Sequence, residues 1–248
     1  DEFPLLEIVE ESVRNYDPSR IAVQLVGYLK KYNAAISPEN GLEYYRQIEE
    51  NETDLRKRYS DQEDVGFDGI ELMYEEQLRG KSGIKEYPVN PQQYIIGPPT
   101  ITEPEKGNNL YLTIHKDVQL ATQEAIVNHL KKLNTSTNRI ERSNAKTGYA
   151  VAMEVKTGKV IAMASMPDYD PNVWKGGRIS PEDWSSAGPY LSNGTIRSVY
   201  PNYDSYEEQI KHPSSLVYLG STMKPLTVLI GLNEKLITPN TRYNDRGV

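Results

Sequence analysis

Two apolar runs rich in β-branched residues, separated by a short turn, constrain the fold of this chain more than any other feature. The stretch YAVAMEVKTGKVIAMASM, residues 149–166, places Lys156, Thr157 and Gly158 between the two runs. Such runs around a glycine-containing turn predict an antiparallel β-hairpin. Upstream, LYLTIHKD (110–117) alternates as a strand does, and KDVQLATQEAIVNHLKKL (116–133) has the apolar spacing of a helix. This part of the chain is therefore predicted to combine strands with a long helix.

The predicted helices carry apolar stripes that define their expected buried faces. In the helix from residue 116, this face is predicted to comprise Val118, Ala121, Ala125, Val127 and Leu130. A second amphipathic helix is predicted in GFDGIELMYEEQLRGKSG (66–83), with Ile70, Met73, Tyr74 and Leu78 on one face and Gly80 and Gly83 as its stop. A third is predicted to begin at Ser221 and to bury Val228, Leu229, Ile230 and Leu232.

The remaining segments give weaker patterns. Residues 19–32 read as a strand or short helix that ends in a turn at Gly27, and residues 38–64 as a solvated helix or loop. Residues 90–108 are rich in proline and glycine and predict an extended connector. Residues 167–194 read as a long loop, and loops of this length inside a domain are usually functional or mobile.

Composition excludes several classes of function. The chain has no cysteine, which excludes disulfides, thiolate zinc sites and cysteine nucleophiles. Its formal net charge of −7 argues against a nucleic-acid partner, because phosphate binding needs clustered lysine and arginine. His115, His129 and His212 are scattered without the spacing of a ligand set, so we expect no metal and no cofactor. No apolar run reaches the roughly 18 residues of a membrane helix, and no signal peptide opens the chain.

Serine followed three residues later by lysine is the motif with the greatest chemical potential. It occurs at Ser82/Lys85, Ser143/Lys146 and Ser221/Lys224. A serine needs a neighbouring base to become a nucleophile, and a neutral lysine can be that base. Residues three apart share one face of a helix, which only the third pair is predicted to occupy. The first pair leads into an extended segment, and the second precedes a strand.

The sequence LGSTMKPLT, residues 219–227, surrounds Ser221 with features that suit such chemistry. The positive end of the predicted helix disfavours an ammonium group on Lys224, and its free N–H groups can stabilise an oxyanion. Gly220 permits close backbone approach, and Pro225 is tolerated in the first turn. The alternative is structural: Ser221 would be an N-cap and Lys224 a snorkelling surface lysine. The local sequence leaves both readings open.

Several stretches together resemble one family. LGSTMKPLT resembles the Pro-Gly-Ser-Thr-Phe-Lys-Pro nucleophile motif of class B penicillin-binding proteins, with Leu219 in place of proline and Met223 in place of phenylalanine. Residues 148–172 resemble the opening hairpin of their transpeptidase sheet, and residues 110–126 resemble the strand and helix before it. Residues 66–83 are similar to the linker-domain segment of the family.

The resemblance implies an α+β fold in two parts. Residues 1–145 would form an elongated N-terminal pedestal of the dimerisation type, and residues 146–248 the first part of a serine β-lactamase-like transpeptidase domain, an antiparallel sheet with helices. Ser221 would attack the D-Ala-D-Ala carbonyl of a peptidoglycan stem peptide while Lys224 takes its proton. β-Lactam antibiotics would acylate the same serine. The full-length protein would be held at the bacterial cell membrane by a single N-terminal anchor absent from this chain, with its bulk extracytoplasmic.

The family completes its site with Ser-x-Asn and Lys-Thr-Gly motifs downstream of the nucleophile, and the sequence ends soon after Lys224. Similar triplets at 136–138, 146–148 and 156–158 lie upstream and are interpreted as coincidences. We therefore expect this chain to be a fragment that carries nucleophile and base without the complete site.

Two rival functions remain at this stage. The tyrosine-rich first hundred residues suit a non-catalytic module that docks membrane proteins of the elongation or division machinery. The serine–lysine motif also occurs in β-lactam sensors and β-lactamases, against which the long N-terminal region argues. In the 167–194 loop, Trp174 and Trp184 could line a substrate cleft or anchor the loop, and Asp168, Asp170, Glu182 and Asp183 read as solvated charges.

Overall fold

The computed structural model of the 248-residue chain describes residues 13–38, 41–138, 143–191, 193, 219–244 and 247. Its helices are α1 (Val23–Val26), α2 (Tyr32–Ala35), α3 (Glu43–Asn51), α4 (Gly69–Met73), α5 (Glu75–Arg79), α6 (Lys116–Thr135), α7 (Pro181–Leu191) and α8 (Lys224–Asn233). Its strands are β1 (Leu29–Lys31), β2 (Asp64–Gly66), β3 (Gly80–Lys81), β4 (Ile84–Glu86), β5 (Thr100–Thr102), β6 (Glu105–Lys106), β7 (Gly148–Met153) and β8 (Val160–Met166). Two 3₁₀ turns, Pro171–Trp174 and Gly220–Met223, complete the elements of the described residues.

The strands pair two by two in antiparallel fashion, β1 with β2, β3 with β6, β4 with β5 and β7 with β8. The β7–β8 pair is the predicted hairpin, with Gly158 in its turn at a φ of +73°. The mixture of helices with antiparallel strands confirms the α+β class. The chain divides into two compact units, Asp1–Ser215 and Leu216–Val248. No helix in the described part of the chain is both long and apolar enough to cross a membrane.

The apolar core of the first unit joins residues from widely separated parts of the sequence. Trp174 stacks on Tyr28 with ring centroids 4.3 Å apart, and Tyr28 also contacts Phe67. Tyr45 is fully buried and meets the ring of Tyr32 edge-on. Trp174 therefore anchors its loop by packing, one of the two readings that the sequence left open. This core includes residues on both sides of residue 146 and therefore does not mark a domain boundary at that position. The boundary between residues 145 and 146 remains a prediction.

Two local predictions are confirmed and two are corrected. The segment around Gly27 is a short helix, α1, that ends at this glycine with a φ of +85°, and Gly80 terminates α5 at a φ of +81°. The polar segment forms helix α3, but Tyr45 of this helix is fully buried, so the helix is not solvated on all sides. The prediction of one long loop from residue 167 is wrong over Pro181–Leu191, which form the helix α7, and a 3₁₀ turn precedes this helix.

The predicted strand at 110–117 is wrong, because these residues form no strand in the structure. The alternating apolar and polar residues belong to a segment that runs beside β8 and makes isolated hydrogen bonds to it. The His115 N–H donates to the Ile161 carbonyl at 2.8 Å, and the Thr113 hydroxyl donates to the Val160 carbonyl at 2.6 Å.

The predicted buried face of α6 is also wrong. Val118 is 40% exposed and Val127 is 43% exposed, whereas the buried residues of this helix are Gln119 and Gln123. Much of the apolar stripe lines an open groove of about 840 Å³ against Tyr149 and its neighbours in β7. Periodicity identified the stripe correctly, but no element among the described residues covers the open groove and buries it.

Two buried glutamines connect α6 to its surroundings through backbone-like hydrogen bonds. The Gln119 side chain accepts from the Met163 N–H at 2.8 Å and donates to the Met163 carbonyl at 2.9 Å, so it pairs with β8 as a neighbouring strand would. It also donates to the Gln123 side-chain oxygen at 3.0 Å. Gln123 in turn accepts from the Ala22 N–H and donates to the Arg20 carbonyl. These amides, which we call the glutamine clamp, tie α6 both to β8 and to the residues before α1.

The segment 66–83 differs from its prediction in a similar way. It forms two short helices that meet at Tyr74 rather than one, and Met73 is 74% exposed. The buried side chains of these two helices are Glu71 and Glu75, each 5% exposed. The apolar stripe therefore did not predict which side chains of these helices are buried. Carboxylates can be buried where other groups of the fold hydrogen-bond to them.

Candidate active site

Ser221 and Lys224 lie in the second unit, at the start of its helix. Ser221 belongs to the 3₁₀ turn Gly220–Met223, and Lys224 is the first residue of α8. The Lys224 N–H donates to the Ser221 carbonyl, so the turn continues directly into the helix. Ser221 was predicted to open the helix, and it lies one turn before it. The structure thus places Ser221 and Lys224 three residues apart on one helical turn, as the spacing predicts.

The backbone around Ser221 follows from its neighbours. Gly220 has a φ of +54°, a left-handed conformation that glycine adopts without penalty, and a Cβ there would meet no atom within 4 Å. Pro225 lies in the first turn of α8, where its missing N–H leaves no helical hydrogen bond unmade. Thr222 closes the turn on itself, since its hydroxyl donates to the Leu219 carbonyl.

Ser221 is not the N-cap of a helix, which was the alternative structural role considered for it. The N-cap residue of the 3₁₀ turn is Leu219 and that of α8 is Met223, and neither makes a side-chain cap hydrogen bond. Ser221 therefore occupies neither cap position.

The surroundings of α8 are more open than its sequence predicts. Ser221 and Lys224 are exposed, and Val228, Leu229 and Ile230 are 50%, 62% and 54% exposed. The predicted burial of one side of this helix is thus wrong for the second unit taken by itself. Ile237 folds back close to Gly231, but no further helix or strand is described in this unit to cover the apolar side chains.

The other two serine–lysine pairs are not helical. Ser82 follows β3, with its N–H donating to the Arg56 carbonyl, and Lys85 lies in β4. Ser143 precedes Ala145, whose N–H donates to the serine hydroxyl, and Lys146 lies before β7. Both pairs sit in extended or irregular backbone, so neither presents serine and lysine on one helical turn.

Metal ligands and the acidic loop residues add no second site. No cluster of three potential ligands exists among the residues that the structure describes, and His212 lies outside them. Asp168 is half-buried and pairs with Arg20 at 3.6 Å; burial raises the pKa of its carboxyl, and Arg20 opposes this. Asp170 caps the 3₁₀ turn at 171–174 by accepting from the Asn172 N–H.

Sequence patterns missed a cluster of buried charges in the first unit. The Glu71 carboxylate is paired with Arg14 at 2.8 Å, and burial raises the pKa of this carboxyl while Arg14 lowers it. Arg79 binds the Glu63 carboxylate and donates to the Lys57 and Arg58 carbonyls, both at 2.7 Å. The one available signal was the spacing of acidic residues by four in GIELMYEE, which helices commonly direct to solvent.

Two family models match the chain. The penicillin-binding protein dimerisation domain matches residues 1–112, and the penicillin-binding protein transpeptidase domain matches residues 148–248. The second match includes Ser221 and Lys224. The first match includes the buried charge cluster.

Relatives and a solved structure agree with these matches. The chain is 26% identical over 250 residues to the peptidoglycan D,D-transpeptidase MrdA of Escherichia coli K12, and 28% identical over 246 residues to MrdA of Haemophilus influenzae. Each alignment covers 99% of this chain and 32% of the relative, so the chain spans about a third of the length of these relatives. The fold is similar to that of penicillin-binding protein 2 of Helicobacter pylori, which was solved in complex with MreC, and the TM-score is 0.53. The sequence identity is 24%, and the match covers 92% of this chain and 34% of the Helicobacter pylori chain.

Proposed function

Since the chain belongs to the penicillin-binding proteins that join a dimerisation domain to a transpeptidase domain, we propose that Ser221 is the nucleophile of a peptidoglycan D,D-transpeptidase and Lys224 its general base. The observation that supports this assignment is the placement of Ser221 and Lys224 on one helical turn at the start of α8. Neither of the other two serine–lysine pairs has this arrangement.

The proposed reaction has two acyl-transfer steps. The Ser221 Oγ attacks the carbonyl carbon of the penultimate D-Ala of a stem peptide, and its proton passes to Lys224 Nζ. The tetrahedral oxyanion is stabilised by backbone N–H groups at the start of the helix, and the terminal D-Ala departs with the proton that Lys224 returns. An amine of a neighbouring stem peptide then attacks the acyl-enzyme carbonyl carbon. Lys224 Nζ takes a proton from the attacking nitrogen and returns it to Ser221 Oγ as the ester bond breaks, which forms the cross-link and regenerates Ser221. A β-lactam would follow the first step and remain attached, because opening its ring leaves no departing group.

The complete activity is proposed for the full-length protein. Its bulk is proposed to lie outside the cytoplasmic membrane, held by a single N-terminal anchor. Fractionation of cells that produce the full-length protein tests this: we expect it in the membrane pellet after a high-salt wash, and its release by that wash would contradict the anchor.

Substitution of the proposed base tests the chemistry most sharply. Lys224→Arg keeps a basic side chain of similar length, but arginine stays protonated and cannot accept the serine proton. We expect the rate of labelling by a fluorescent penicillin to fall about 10²- to 10⁴-fold, the usual effect of losing a general base. Lys146→Arg is the matched control and is expected to label as the wild type does. Equal labelling of the Lys224→Arg protein would refute the role of this lysine.

A second candidate function, protein docking by the region that matches the dimerisation domain, is favoured by the β4–β5 hairpin. Val89 and Ile95 are directly opposed across this hairpin and are 53% and 61% exposed, and Ile101 is 57% exposed. Exposed apolar surface of this kind is typical of interaction sites. A membrane protein of the elongation or division machinery is the proposed partner class. A Val89→Ser/Ile95→Ser variant should then lose binding to the organism's own MreC-type protein, and unchanged binding would contradict docking at the hairpin.

A further inference from the structure

Glu75, on the first turn of α5, is buried and forms no ion pair with any lysine or arginine that the structure describes. It is 5% exposed, and its Oε2 accepts from the Gly66 N–H at 2.9 Å. Its Oε1 has no hydrogen-bond partner among the described residues. The nearby guanidinium of Arg79 is directed instead at the Glu63 carboxylate and at two backbone carbonyls. An ionised carboxylate in this position is only partly compensated.

Gly66, the residue that Glu75 holds, is a point where several elements meet. It ends β2 and pairs with Leu29 of β1. Its carbonyl accepts from the Tyr45 hydroxyl of α3. A Cβ at this glycine would lie 2.0 Å from the Glu71 carbonyl oxygen, so α4 also packs directly on it. The Glu75 side chain is therefore linked, through the peptide of Gly66, to β2, α3 and α4.

The groups that face Glu75 set the balance between its two protonation states. Burial raises the pKa of its carboxyl from the ordinary 4.5 to about 7, the Gly66 N–H and Arg79 lower it, and Glu63 and Glu71 raise it further. Three tyrosines complete its electrostatic surroundings: Tyr44, Tyr45 and Tyr59. All three are neutral near pH 7, because burial raises their pKa values above the ordinary 10.

We propose that Glu75 is a proton-operated latch, which holds α5 on β2 while it is protonated and loosens this contact when it ionises. The neutral carboxyl needs no counter-ion and fits the dry contact with Gly66. The ionised carboxylate is relieved by hydration, which requires α5 to move away from β2 far enough to admit water. The latch regulates the region that matches the dimerisation domain, and it is independent of the role of Ser221.

The direction of the effect follows from proton linkage. Between pH 4.5 and pH 7 the closed form keeps a proton that the open, hydrated form has lost. Closure is therefore favoured in mild acid, and this contribution is lost as the pH rises through about 7. For these two pKa values, the equilibrium constant for opening rises about tenfold between pH 6 and pH 8.

Amide hydrogen exchange and carboxyl NMR of the whole chain test the latch. We expect the protection factor of the Gly66 amide, which is already corrected for the intrinsic effect of pH, to fall about tenfold from pH 6 to pH 8. Glu75→Gln, which keeps an acceptor for the Gly66 N–H but cannot ionise, should show a constant protection factor. Glu76→Gln, at the exposed neighbouring position, is the matched control and should behave as the wild type does.

Two results would overturn the proposal. One is an identical pH profile of Gly66 protection in the wild type and in Glu75→Gln. The other is a ¹³C carboxyl titration of wild-type Glu75 with its midpoint near 4.5 rather than near 7, a measurement that needs no variant to fold.

Discussion

Replacement of Gln119 by leucine tests the glutamine clamp that joins α6 to β8. Leucine is similar in volume and has good helix propensity, so it removes the amide without opening a large cavity. The change leaves the Met163 N–H and carbonyl, which the Gln119 amide now satisfies at 2.8 and 2.9 Å, without a partner. Each unsatisfied buried backbone group costs about 1–3 kcal/mol. Since Met163 is only half-buried, we take the lower part of this range for each group and expect a loss of about 3 kcal/mol.

Thermal and urea unfolding of the chain, followed by circular dichroism, measure this loss. For a chain of this size, 3 kcal/mol corresponds to a fall in Tm of about 6–12 °C. Asn128→Leu is the matched control, an amide-to-leucine change on an exposed position of the same helix, and should alter the free energy of unfolding by no more than about 0.5 kcal/mol. If Gln119→Leu were as stable as Asn128→Leu, the glutamine clamp would contribute nothing and α6 would be held by its apolar contacts alone.

Two matched pairs test the core and the backbone of the first unit. Trp174→Ala should lower the free energy of unfolding in urea by about 3–5 kcal/mol, because it removes a buried ring that is stacked on Tyr28. Its control is Trp184→Ala, at a position that is 52% exposed, which should cost less than about 1 kcal/mol. Equal losses in the two variants would contradict the packing role of Trp174. Gly27→Ala should abolish soluble folded protein, because the new Cβ would lie 1.9 Å from the Asp68 carbonyl oxygen. Its control is Gly158→Ala, where the new Cβ would have open space around it. This control should lower Tm by only a few degrees, which corresponds to about 1 kcal/mol of left-handed backbone strain. A soluble, cooperatively unfolding Gly27→Ala protein would show that this close approach is not required.

The sequence predicted the features that local interactions determine. The β7–β8 hairpin follows from two β-forming runs around Gly158, and the ends of α1 and α5 follow from Gly27 and Gly80 at positive φ. The placement of Ser221 and Lys224 on one helical turn is of the same kind, because three-residue spacing and a tolerated Pro225 need no distant partner. Local rules therefore located the candidate nucleophile and base.

Burial could not be predicted in the same way, because it depends on what packs against a surface. Val118 and Val228 belong to true apolar stripes, yet both remain exposed since no described element covers them. Gln119 and Glu75 are polar, yet both are buried where backbone groups of other elements, at Met163 and Gly66, hydrogen-bond to them. No periodicity encodes those partners, which lie 44 and 9 residues away along the chain.

Acylation of Ser221 is the central claim, and intact-mass spectrometry of the full-length protein after incubation with a penicillin tests it directly. We expect the wild type to gain the mass of one drug molecule, and Ser82→Ala and Ser143→Ala, the two other serines of the same motif, to gain it as well. Ser221→Ala should gain none while remaining folded by circular dichroism. A mass gain that persists in Ser221→Ala, or its absence from folded wild-type protein, would contradict the assignment of Ser221 as the nucleophile.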